Sequence, residues 1–256
     1  VRVFTLISFK HDSAINKQPK EATMAFRAIA AGIAAFFLTV TAAQAQVIYN
    51  DRIPTGTASF DSVVAGVGGT VTTDVLQNLA SGNSWDRGAY TITSTDGSNR
   101  PIDSSYLPSG AAIGIDPAAP ASGSGLTFTF DTAVNAFGLE IGDWATCCYL
   151  PSSLYISFDG GATRLVASAT SSSDNPGYAA GDGYLNFVGA IDTTSTFNTV
   201  TFYGDGFGEY LVAGGTIRYA TLDIGSVPAV PEPETYALML AGLALVGAMA
   251  RRRRRG

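Results

Sequence analysis

Leu126-Thr127-Phe128-Thr129-Phe130 alternates apolar and polar residues without a break. In an extended chain successive side chains point to opposite faces, so Leu126, Phe128 and Phe130 share one face and the threonines the other. The same period returns in Ala136–Ile141, where it turns Phe137, Leu139 and Ile141 inward and leaves Glu140 outside. It returns again in Leu154–Phe158, which runs through the turn Asp159-Gly160-Gly161 into Thr163–Ala167 and predicts a hairpin. Further strands are expected at Thr57–Ala65, Val71–Leu76, Ala89–Thr93, Tyr184–Val188, Phe197–Tyr203 and Gly215–Ile224. Turn residues separate nearly all of them, and none needs a crossover helix. The all-β reading that fits is a two-sheet antiparallel β-sandwich, jelly-roll-like, with Phe128, Phe130, Phe137, Phe158 and Phe202 in its core. A closed barrel is the alternative, and a solenoid lacks its fixed repeat.

The ends of the chain have a different character. From Met24 it reads MAFRAIAAGIAAFFLTVTAAQAQ, with Arg27 as a short positive region and Ala43-Gln44-Ala45 as a small-x-small cleavage site before Gln46. The apolar stretch Ala28–Val40 has 13 residues, short of the ~20 of a spanning helix, so it reads as a cleaved signal helix. Residues 1–23 are polar and mixed, and read as a start placed too early or an extension of the signal. Near the other end, Pro231-Glu232-Pro233 stops any helix, because two prolines withdraw amide donors and hold the preceding residues extended. Tyr236–Ala250 is then apolar or small throughout, roughly 22 Å of helix against a ~30 Å hydrocarbon core. Arg251, Arg252, Arg253, Arg254 and Arg255 extend its reach by snorkelling and hold that end in the cytoplasm. A C-terminal transmembrane helix is expected. The domain plan is 24–45 signal peptide, 46–229 sandwich and 230–256 anchor segment.

This order of Pro-Glu-Pro, short apolar helix and arginine cluster, behind an N-terminal signal, resembles the PEP-CTERM sorting signal of exported Gram-negative bacterial proteins. The resemblance covers Val230–Gly256 and implies that Pro231, Glu232, Pro233 and Arg251–Arg255 form the sorting motif. It further implies recognition by a transpeptidase-like integral-membrane enzyme, an exosortase, with transient anchoring before the cell surface or medium is reached. By association, such cargo belongs to cells making extracellular polysaccharide. The segments FTFDTAVNAFGLEIGD, LYISFDGG and FVGAIDTTSTFNTVTFYG resemble sandwich domains found on PEP-CTERM cargo, themselves similar to carbohydrate-binding modules.

Residues 46–229 hold five arginines, seventeen Asp and Glu, no Lys and no His, for a net charge of −12. Without imidazole or amine, no Ser-His-Asp triad, Cys-His pair, His-ligated metal or Schiff base can be assembled. Paired-carboxylate glycoside hydrolysis stays open, with Glu140, Asp143 and Glu209 as candidates, but the expectation is a protein that is not an enzyme. The acidity argues against nucleic acid. Cys147 and Cys148 are adjacent; they suit a strained vicinal disulfide, free or partly buried thiols, or pairing between chains or metal capture, the last a poor fit without another soft ligand nearby. Trp85 and Trp144, the latter near Tyr149, can stack on a pyranose ring or plug an end of the sandwich. Acidic, glycine-rich turns offer Asp96, Asp103, Asp174, Asp182, Asp205 and Glu209 to calcium, with simple polar turns as the default and no other metal or cofactor expected. The functional expectation is an exported, non-catalytic surface or matrix protein associated with exopolysaccharide. The alternative is a carbohydrate-binding module with a defined glycan site.

Overall fold

The computed structural model describes residues 46–115, 124–146, 150–205 and 211–228, together with 242 and 251. The signal helix, the cleavage residues Ala43 and Ala45, the sorting motif apart from Arg251, Cys147, Cys148, Tyr149 and Glu209 lie outside the described residues.

Two antiparallel sheets make up the domain. The first runs β1 (Gln46–Arg52), β11 (Leu185–Asp192), β8 (Ala136–Gly142), β13 (Leu211–Ala220), β6 (Gly110–Ile115), β5 (Ile102–Leu107), with β2 (Thr72–Val75) also on β13. The second runs β10 (Arg164–Ala169), β9 (Ser152–Phe158), β12 (Phe197–Asp205), β7 (Gly125–Val134), β4 (Tyr90–Ser94), β3 (Ser84–Asp86). The alternation of β7 is realised: Leu126, Phe128 and Phe130 are buried while Thr129 is exposed. Across the interface Phe128 meets Phe137 with ring centroids 4.8 Å apart, so the two inner faces share one core.

On β8 the alternation fails on the outer side, where Ala136, Gly138, Glu140 and Gly142 are buried as well. One cover is α1 (Ile53–Gly66), a helix where the sequence suggested a strand over Thr57–Ala65. Pro54 suits the first turn, where its missing amide costs no helical bond. Gly56, Phe60 and Val64, spaced by four, then form one buried stripe. Phe60 packs edge-on against Tyr49 and Phe187, both at 5.6 Å. The Phe187 ring covers Gly138, where a Cβ would collide with it, so the close approach requires glycine.

Ion pairs pin the two sheets at both edges. Arg164 on β10 donates to Asp192 on β11 at 2.8 Å. Asp74 on β2 accepts Arg87 Nε and Nη2 at 2.8 and 2.7 Å and the Tyr90 hydroxyl at 2.7 Å. The Arg87 bonds hold the Asp74 carboxyl below its ordinary pKa, against the opposing effect of burial. A depressed folded pKa means stabilisation that is present above the unfolded value, near 3.9, and is lost as pH falls through the folded one. Asp74→Asn is therefore expected to cost about 1–2 kcal/mol at pH 7 after solvent screening, with the gap closing below about pH 4. Urea unfolding of both proteins across that range is the check.

Candidate functional site

Glu140 sits at a break in the first sheet. β13 pairs with β8 at Val212–Gly214 and again at Arg218–Ala220, with a register shift between. Gly215 lies in that bulge at φ 64°, and a Cβ there would strike the Glu140 carboxyl. Ser109, from the turn between β5 and β6, places its Oγ 2.7 and 2.8 Å from the two carboxyl oxygens and 2.6 Å from Thr216 Oγ1. Glu140 is thus 2% exposed, not on the wet face where its position in the alternation put it. The bulge makes room for it and the hairpin closes over it. Asp143, in the turn after β8, is half-buried.

Burial pushes the Glu140 carboxyl above its ordinary pKa, opposed by the Ser109 hydrogen bond and the Arg218 charge. A raised folded pKa gives stability that is full below the unfolded value, about 4.3, and lost as pH rises through the folded one. Glu140→Gln is expected to remove that loss, so the variant equals or exceeds the parent in Tm at pH 7. Below about pH 4 the two should converge. Thermal melts at both pH values test the sign.

The two tryptophans turn inward. Trp85 is 7% exposed and donates its indole N–H to the Ala80 carbonyl at 2.8 Å. Trp144 is fully buried, donates to Ser152 Oγ at 3.1 Å, and has its own carbonyl held by Asn175 at 2.7 Å. Neither indole offers a face to a sugar, which corrects the stacking role considered for them; their polar loops close over the rings. An exposed aromatic lies elsewhere: Tyr178, 46% exposed, stacks on Tyr184 at 4.8 Å. Two tyrosines flanking a Gly-Asp-Gly turn were its available signal.

The carboxylates considered for calcium mostly close their own turns. Asp96 accepts from Ser98 and pairs with Arg100, Asp103 accepts from Ser105, and Asp174 accepts the amides of Thr170 and Ser171. Asp182 binds Arg52 at 2.6 Å. Among the described residues, no three acidic, His or Cys groups converge as a metal site. All five arginines of the domain sit in ion pairs with aspartates.

The chain leaves the sandwich from a fixed root. Asn135 clasps Leu222 through both backbone groups, at 2.8 and 2.7 Å, and Val227 is buried beside Thr193. Three residues separate Val227 from Pro231. No helix among the described residues is long and apolar enough to cross a membrane.

Residues 229–255 match the PEP-CTERM protein-sorting motif. The chain carries this sorting motif, and the motif implies export, transient membrane anchoring and processing by exosortase, a membrane enzyme. No match was found among curated protein sequences. Among solved structures the chain is similar to the catalytic domain of a GH87 alpha-1,3-glucanase in complex with tetrasaccharides, with 13% identity and a TM-score of 0.29. The match covers 55% of this chain and 29% of the other, and at that TM-score it carries no argument.

Proposed function

We propose that this protein is exported, released from its anchor, and serves as a non-catalytic structural or adhesive unit in the polysaccharide layer at the cell surface. The observation that carries this reading is the sorting motif at 229–255, which begins two residues after Val227, the last buried residue of the sandwich among the described residues. The charge distribution supports it. With every arginine of the domain already paired to an aspartate, the remaining surface charge is acidic, which suits a hydrated matrix rather than nucleic acid or anionic lipid. The enclosure of Glu140 by Ser109 and Thr216 supports a structural role for that carboxyl. The domain acts without a bound cofactor.

Intact-mass analysis of native protein from the envelope, the polysaccharide layer and the medium tests the reading. The expected product begins near Gln46, ends near Val230 and is enriched in the polysaccharide layer. Full-length chain in the cytosol would overturn the export step. Trimmed protein distributed indifferently between layer and medium would overturn the matrix role, and glycan turnover abolished in Glu140→Gln would overturn the non-catalytic one.

A further inference from the structure

Three adjacent strands of the second sheet each carry Thr-x-Thr: Thr91 and Thr93 on β4, Thr127 and Thr129 on β7, Thr199 and Thr201 on β12. The register brings them into line. Thr91, Thr129 and Thr199 are cross-strand neighbours in one row, and Thr93, Thr127 and Thr201 in the next. The residues between them, Ile92, Phe128 and Val200, are all 0% exposed in the core, so the pleat turns the six threonines to the opposite face. Sheet geometry spaces the hydroxyls about 4.8 Å apart along each row, with rows about 6.8 Å apart. The second row continues to the exposed Ser84 on β3, giving four hydroxyl positions in a line, and ends at Ser157 on β9, which is buried. Beyond it, Tyr203 and Tyr155 face each other across β12 and β9 with stacked rings 5.4 Å apart.

This face is open. Thr129 is exposed and the other five threonines are half-buried. The hydroxyls of Thr127 and Thr201 bond to each other at 3.0 Å, and that of Thr199 contacts Asp159 at 3.2 Å. Those of Thr91, Thr93 and Thr129 have no partner among the described residues. The other sheet differs, because α1 packs on β1 and β11. Val227, where the tail leaves, packs in the same cluster as α1 and Tyr49. The last described residues of the domain therefore lie on the helix side, and the threonines are on the opposite sheet.

The chemistry selects a partner. The six threonines carry no charge, and the domain around them has a net charge of −12, so an anionic polymer is repelled. A row of hydroxyls, each able to donate and accept, matches a neutral polymer that repeats hydroxyls at a similar interval. The strand spacing is close to the length of one sugar ring along an extended glycan. We propose that this face binds neutral polysaccharide, with the glycan lying across the strands and meeting about one threonine or serine hydroxyl per sugar unit. The proposal deepens the matrix reading and rests on it for the identity of the partner.

The test compares the full chain in detergent with its Thr91→Val, Thr93→Val, Thr129→Val triple variant. Valine keeps the β-branched shape and strand preference while deleting the free hydroxyls. Retention is measured on microcrystalline cellulose, on insoluble β-1,3-glucan and on calcium alginate. The parent is expected to be held by at least one neutral glucan and not by alginate, and the variant about tenfold less at unchanged Tm. Absence of retention on both glucans, equal retention of the variant, or preference for alginate would overturn the proposal. So would a parent dimer that Thr129→Lys converts to monomer without affecting glucan retention, since the face would then belong to a second copy. If parent and variant stay equally in the native polysaccharide layer, the face is excluded and the matrix role stands. If the parent binds glucan yet is free of that layer, the face stands and the matrix role falls.

Discussion

Phe187→Ala is expected to lower the stability of the domain by about 3–5 kcal/mol. Phe187 is fully buried between α1 and the first sheet, in edge contact with Phe60 at 5.6 Å and Tyr49 at 6.1 Å. Beneath the ring lies Gly138, with no side chain to collapse into the space an alanine would leave, so the cavity persists. The helix is also poorly held by local terms: Arg52 at its N-cap makes no side-chain cap bond, and the first turn holds no acidic residue. A helix of 14 residues without those terms depends on packing. Loss of the ring should therefore release α1 before the sandwich core opens. It should also loosen the root of the tail, because Leu222 and Val227 belong to the same cluster. Urea unfolding should show the fall in midpoint, and limited proteolysis should show new cleavage within 53–66. A variant within about 1 kcal/mol of the parent, with the helix still protected, would mean that α1 is held by something other than this cluster.

What was legible in the sequence follows from how local each signal is. The inward rows of β7 and β8 could be read because alternation is a property of five or six consecutive residues. The hairpin between β9 and β10 could be read because Asp159 and Gly160, at φ 49° and 67°, are residue types that tolerate the left-handed region. The sorting motif is linear, so it was legible in full. The helix over Ile53–Gly66 was misread because its apolar positions fit two periods, and the deciding factor is Phe187, more than 120 residues away. Glu140 was placed in water because alternation says nothing of what covers the far side of a sheet; a bulge on β13 and a serine from another hairpin decide that. The threonine rows needed the strand order β12-β7-β4, which joins segments far apart in the chain. Each Thr-x-Thr alone is ordinary strand sequence.

Trp144→Ala should cost about 3–5 kcal/mol for reasons local to its turn. Asp143 and Ala145, on either side, both adopt positive φ, at 64° and 59°. An alanine in that region is strained by about 1–2 kcal/mol, which the buried indole between them offsets. Truncation removes the ring's packing and leaves Ser152 without the donor that now reaches it at 3.1 Å. It leaves the strain in place, so the turn should relax and release the Asn175 contact to the Trp144 carbonyl. Near-UV circular dichroism and a falling Tm would report this. The consequence for glycan binding is specific, since an alanine variant that no longer binds glucan has not revealed a sugar contact when its fold is lost too. Trp144→Phe separates the two effects. It keeps most of the buried area, loses one hydrogen bond worth about 0.5–1.5 kcal/mol, and should lower Tm while leaving glucan retention at the parental level. The triple threonine variant should behave the opposite way, with Tm kept and retention lost. Retention that falls in Trp144→Phe at unchanged Tm would move the contact from the threonine face to this end of the sandwich.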